Sequence, residues 1–374
     1  MKKQFKTCVC LLAGALLFAA CSDDDEKNVR EEVTVADGVF ILNEGSYFSK
    51  IDGSLDYLDY STGTVSRNVF KNKNGRSLGG TPNNAVVCGS KMYITTADEN
   101  RVEVVDARSM KAYSPINIVT PREVCTDGAA VYVTSYDGTV SKIDTTALKV
   151  VAQSAAIGDA LEGITAMGGY LYVCNAWKNL GGYSYEYHTN VVKLQASDLS
   201  KVKDITVAAN PNQILNDGTN IYLACWGNYA DVQAMVQRID ANDQVTTLTN
   251  GRMIALDKAN DLLYIINTTY DENWAEKNNY NVYDLKTGKE RNFTQGSEVF
   301  SPAAIGVDPT TGDVFITSYS ESEDYKGSAS YTTDGFVVHY STTGTFLNKY
   351  TCGVSPGTLV FAHHKELKKL IVNN

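Results

Sequence analysis

The chain has 374 residues, 43% of them hydrophobic and 20% charged, with a formal net charge of −10. That content suffices for a large buried core, and the acidic balance argues against the basic patches that grip a nucleic-acid backbone. Eight cysteines are present without a CxxC pair, which speaks against a zinc or dithiol redox centre.

Lys2 and Lys3 precede an apolar run from Val9 to Ala20, too short for a spanning helix and of secretory-signal form. Leu17 to Cys21 (LFAAC) looks like a lipobox, so residues 1–20 are expected to be a lipoprotein signal peptide and Cys21 the lipidated first mature residue. Ordinary signal cleavage near Ala20 is the alternative. Loss of Lys2, Lys3 and Lys6 takes the mature charge from −10 to −13. The acidic run from Ser22 to Glu26 begins a tether expected to span residues 21–38.

From residue 39 onward one motif recurs, an aromatic ring inside a β-rich apolar run. Its rings are Phe40, Tyr93, Tyr132, Tyr172, Tyr222, Tyr264 and Phe315, separated by 53, 39, 40, 50, 42 and 51 residues. A unit of about 40 residues with insertions is the period of a propeller blade. Val131 to Val150 shows the unit most cleanly: a strand, a Gly turn, an alternating strand, and an Asp turn opening a third strand. Asp59, Asp106, Asp144, Asp240 and Asp284 hold that turn position, where a carboxylate caps backbone N–H groups two residues on. Short apolar segments ahead of each unit, such as Asn84 to Cys88 and Arg122 to Cys125, supply a fourth, innermost strand.

The expected fold is all-β, a seven-bladed β-propeller of four-stranded antiparallel blades over residues 39–374. An eight-bladed ring is the alternative. Closure calls for a blade shared by both termini, with Gly357 to Ala362 and Lys369 to Asn373 as the candidate strands.

In such a meander the loops joining second to third strands emerge on the same face as those joining successive blades. The former include Asn43 to Ser49, Asn175 to His188, Trp226 to Tyr229, Thr268 to Trp274 and Ser318 to Lys326, and they hold all three tryptophans. Loops this long and this aromatic suit ligand binding. The blade junctions carry Pro82, Pro121, Pro211, Pro302 and Pro356, and each proline sets the following side chain near the channel mouth or merely shapes its turn.

Common enzyme signatures such as the phosphate-binding P-loop and HExxH are absent. His188 with Glu162 or Glu186 could form a lyase pair, yet any acid and His in facing loops would satisfy that description. His188 could also ligate a metal in a bound cofactor, although a plain loop histidine accounts for it. His339 falls in an outer strand and His363 and His364 in a C-terminal turn. Glu321, Glu323 and Asp324 lack the spacing of a calcium loop. No metal or cofactor is required, and the expectation is a binding protein rather than an enzyme.

Tyr132 to Asp144 (YVTSYDGTVSKID) is similar to the repeat of YVTN/YncE-like secreted propellers, and Gly38 to Gly45 (GVFILNEG) resembles the opening of a Bacteroidetes lipoprotein propeller family. The acidic run behind Cys21 resembles the surface-export signal of such lipoproteins. That family includes surface vitamin B12-binding lipoproteins that cap a TonB-dependent outer-membrane transporter. The resemblance implies an outer-membrane lipoprotein facing the cell exterior, which captures cobalamin or another corrinoid and hands it to the transporter. A broad, flat, amide-rimmed ligand needs rings and amide partners. Tyr136, Trp177, Tyr185, Tyr187, Trp226, Tyr229, Tyr270, Trp274 and Tyr319 are expected to pack against it, and Asn83, Arg122 and Asn212 to bond its rim. A glycan- or protein-binding adhesin would use the same loops, and a propeller lyase is the third class.

Overall fold

The computed structural model describes residues 30–272 and 276–369. The signal peptide, Cys21, the acidic run and Trp274 lie outside the described residues. Among those described, the strands form seven four-stranded antiparallel sheets, the blades of a seven-bladed propeller. One short helix, Val69–Asn74, links the first blade to the second and buries Phe70.

Blade 3 is the simplest: Pro121–Thr126, Ala130–Ser135, Val140–Asp144 and Lys149–Gln153, running from the channel outward. The repeated aromatic belongs to its second strand. Tyr132 is 1% exposed and packs with Leu161, Leu171, Val173 and Val192 of blade 4. Its hydroxyl donates to Asp127 Oδ2 at 2.8 Å and reaches the Ala196 carbonyl at 3.2 Å. Tyr222 makes the equivalent bond to Asp217 Oδ2 at 2.8 Å. The core therefore lies between blades, and the motif that marks the repeat also joins one unit to the next.

The five turn aspartates cap as expected. Asp144 Oδ1 accepts from the N–H groups of Thr146 and Ala147 at 2.8 and 2.6 Å, and Asp59, Asp106, Asp240 and Asp284 do the same in their own turns.

Both termini build blade 1. Pro356–Lys369 is its innermost strand and pairs antiparallel with Arg30–Asn43, followed outward by Ser54–Asp59 and Thr64–Ser66. Two sequence expectations change here. The chain is already a strand at Arg30, within the expected tether, because residues 30–36 pair with residues 363–369. His363 and His364 lie in that strand instead of a turn, and His364 Nδ1 meets Asp37 Oδ1 at 2.6 Å. The two closing segments thus belong to one strand as far as Lys369; the rest of the second lies outside the described residues.

A buried clamp fastens the closure. Asp56, 0% exposed, accepts from Asn43 Nδ2 at 3.0 Å and from the Asn68 N–H at 2.8 Å, and forms an ion pair with Arg67 whose Nε lies 2.9 Å from Oδ2. The Arg67 guanidinium continues to Asp334 of blade 7 through two bonds of 3.1 and 3.0 Å. The guanidinium, set between carboxylates of neighbouring blades, opposes the desolvation of Asp56, although burial still holds that carboxyl above its ordinary pKa.

Candidate functional site: the loop face

The blade-joining loops and the second-to-third-strand loops do share a face: the Tyr136 N–H donates to Thr120 O at 3.1 Å, and the Trp226 N–H to Asn210 O at 2.8 Å. Thr120, Asn210, Thr81 and Ser355 each precede a junction proline and adopt left-handed φ of 39°, 60°, 50° and 55°. The innermost strands then bulge. Between Pro121 and Val124 the register slips by one residue, so Arg122 and Glu123 together oppose Thr134, and the same slip follows Pro82, Leu161, Pro211 and Pro302. A bulge re-aims side chains, and here it delivers polar groups to the channel mouth.

Glu162 is the hub of that mouth. It is 3% exposed; Arg122 Nε meets its Oε2 at 2.8 Å, and Oε1 accepts from the Tyr136 hydroxyl at 2.8 Å and from Trp177 Nε1 at 3.4 Å. The Arg122 guanidinium also lies 5.3 Å from the Tyr136 ring centre. Asn83, 4% exposed, accepts from Arg122 Nη1 when its amide oxygen is turned to the guanidinium. Asn212 holds the matching bulge position in blade 5, partly exposed.

Two further acids crowd this centre. Burial raises the pKa of Glu44 against the pull of Arg122, with Glu162 adding repulsion. Burial likewise pushes Glu123 up to about 7, opposed by Arg122 and by the amide of Asn84, which bonds its Oε2. Between pH 4.5, its ordinary value, and about 7 the folded chain keeps a proton that the unfolded chain has lost, so raising pH across that window costs stability. E123Q should match the parent protein near pH 5 and exceed it in urea stability near pH 8. Equal stability at pH 8 would refute this assignment.

From Tyr136 the rings run on without a break. Tyr136 to Trp177 is 5.5 Å between centres, Trp177 to Tyr185 5.5 Å, Tyr185 to Tyr187 6.4 Å and Tyr187 to Tyr229 5.7 Å. Arg252 joins the end of this arc to Trp226, with its guanidinium carbon 5.1 Å from the Tyr229 ring and 5.2 Å from the Trp226 ring. The arc crosses blades 3 to 6. Blade 4 contributes most because Tyr170–Gly181 and Ser184–Gln195 form a long hairpin. The segment expected as a loop from Asn175 to His188 is therefore mostly strand, and alternation along it puts Tyr185 and Tyr187 on one side.

The remaining expected residues divide. Tyr319 packs against Tyr331 at 5.0 Å, and Tyr270, half exposed at the end of its strand, is an electrostatic neighbour of Tyr331. These rings form a separate patch on blades 6 and 7, and Glu44 is within electrostatic reach of both Tyr319 and Arg122. His188 does not pair with Glu162; its Nε2 meets Asp159 Oδ2 at 2.9 Å. Sequence reasoning overlooked Arg252, Glu44, Glu123 and Tyr331, and considered Glu162 only beside His188. The blade period held a signal for Glu162: it stands 40 residues after Arg122, which stands 39 after Asn83.

A cleft of about 1210 Å³ opens on the opposite, turn face, between the strand pair of residues 30–37 and 361–369 and the turns of blades 1, 2 and 7. Its polar groups are largely committed to one another, as in His364 with Asp37 and His339 Nε2 with Asp313 Oδ2 at 2.8 Å. Among the described residues no three His, Cys, Asp or Glu side chains converge as a metal site.

Fold and loop face together define a β-propeller with an aromatic, acid-centred channel mouth. The chain belongs to the family described as a domain of unknown function, DUF5074, whose model matches residues 37–345. No curated protein matches it. Among solved structures it is similar to a quinonprotein alcohol dehydrogenase-like protein of Bacteroides thetaiotaomicron, at 15% identity and TM-score 0.66, covering 87% of this chain and 78% of that one. A 6-phosphogluconolactonase-like protein of Bacteroides uniformis gives 12% and 0.62, covering 87% and 100%. Hydrazine synthase of Kuenenia stuttgartiensis gives 14% and 0.58, covering 78% and 96%. At such identities the likeness extends to the fold alone.

Proposed function

We propose that this chain is a surface lipoprotein, anchored through Cys21, that captures cobalamin or a related corrinoid on its loop face and passes it unchanged to a TonB-dependent outer-membrane transporter. The observation that carries this reading is the unbroken arc of Tyr136, Trp177, Tyr185, Tyr187 and Tyr229 beside the amide- and carboxyl-lined channel mouth. Rings over several blades make a broad wall, suited to a wide flat ligand and ill suited to a small one. Asn212 offers an amide to such a ligand's rim, and Glu123, its pKa raised by burial to about 7, carries a donor proton mainly below neutrality. The resemblance to B12-binding lipoproteins supplies the particular ligand.

Calorimetry with cyanocobalamin tests the reading. Tight binding without chemical change to the ligand is expected. No binding at micromolar concentration, with capture of glycans on an array, would replace corrinoid by carbohydrate. Product formation would replace capture by catalysis.

A further inference from the structure

We infer that Arg252 is an oxyanion-recognition point of the loop face, receiving the phosphate or carboxylate of a ligand whose flat body lies along the aromatic arc. The inference rests on the proposed capture reading only for its choice of corrinoid probes.

The main chain of Arg252 is fixed. Gly251 before it is buried, and a Cβ there would stand 2.4 Å from Ile265 Cγ2 and 2.9 Å from Val236 Cγ2, so the chain passes tightly between blades 5 and 6. The Arg252 N–H donates to Ile266 O at 2.9 Å, and its carbonyl accepts from Trp226 Nε1 at 2.8 Å. The side chain is held as well, because its guanidinium lies over both Trp226 and Tyr229. The Tyr229 side chain also hydrogen-bonds the guanidinium, and a guanidinium has five N–H donors, so others remain for a further acceptor.

Among the described residues Arg252 has no carboxylate in an ion pair with it, in contrast to four other arginines of the blades and their linkers. Arg67 grips Asp56 and Asp334, Arg76 and Arg101 share Glu103, and Arg122 is bound to Glu162. In a chain of net charge −10, acids are plentiful, yet this guanidinium, set against two rings, has none paired with it. A planar fork that bonds Tyr229 and meets no carboxylate, set at the end of a wall of rings, can turn its remaining N–H groups to the two-oxygen edge of a phosphate or carboxylate.

The test compares two corrinoids, cyanocobalamin, which carries a phosphodiester in its nucleotide arm, and dicyanocobinamide, which lacks that arm. The wild-type chain should prefer cyanocobalamin by about tenfold or more, a charge-assisted hydrogen bond having that scale. R252Q should lose the preference while still binding cobinamide, R252K should keep part of it, and added salt should erode it in the wild type. Equal binding of the two corrinoids by the wild type, or an undiminished preference in R252Q, overturns the inference and leaves corrinoid capture standing. If neither corrinoid binds, the capture reading fails instead, and Arg252 is judged with phenyl phosphate against phenol. Binding of the phosphate ester that R252Q abolishes sustains the oxyanion role, and its absence ends it.

Discussion

Tyr132→Ala is expected to destabilise the propeller by about 3 kcal/mol or more, the scale for deleting a large buried ring. The ring is 1% exposed and fills the space between blades 3 and 4, so truncation leaves a cavity that two sheets cannot close without shifting each other. The hydroxyl adds to the loss, since its removal leaves Asp127 and the Ala196 carbonyl of the next blade without that donor. Urea unfolding followed by circular dichroism measures the effect. A loss below about 1 kcal/mol would mean that the repeated aromatic does not join the blades.

Trp177→Ala and Trp226→Ala should each weaken corrinoid binding by roughly tenfold or more, since 1.4 kcal/mol is a factor of ten and a desolvated hot-spot ring contributes about 2 kcal/mol or more. Trp177 touches both Tyr136 and Tyr185 and donates to Glu162, so its removal cuts the arc in two. Trp226 supports Arg252 through its ring and its indole N–H, so its loss also frees the guanidinium. Both side chains are only partly buried, and neither belongs to a core cluster between blades, so the folded state should lose far less than in Tyr132→Ala. Calorimetry on both variants checks this. Normal binding by two folded variants would place the site elsewhere.

The repeat was legible because its signal is local. An aromatic within an apolar run, a Gly turn and an Asp turn are set by strand alternation and backbone geometry, and they recur wherever a blade does. Ring closure was legible in kind, from the missing innermost strand of the first unit. Its extent was not, since the pairing of Arg30 with Lys369 depends on residues more than 300 apart in sequence. Half of the site was readable as composition: the aromatic loops were found, and Trp177, Tyr185, Tyr187 and Tyr229 do line up. The charged centre was not, because a bulge decides which of two neighbouring residues faces the channel, and Glu162 and Glu123 look like ordinary strand residues until that slip is seen. Arg252 escaped notice for a similar reason. Nothing near it in sequence names its ring partners, which come from the preceding blade.

The claim that the loop face is the capture face is tested most directly by a crystal structure of the protein with cyanocobalamin. The ligand should lie against Tyr136, Trp177, Tyr187 and Tyr229, over the channel mouth held by Arg122 and Glu162. Cyanocobalamin seated instead in the turn-face cleft beside Asp37 and His364, with the aromatic arc uncovered, would contradict it.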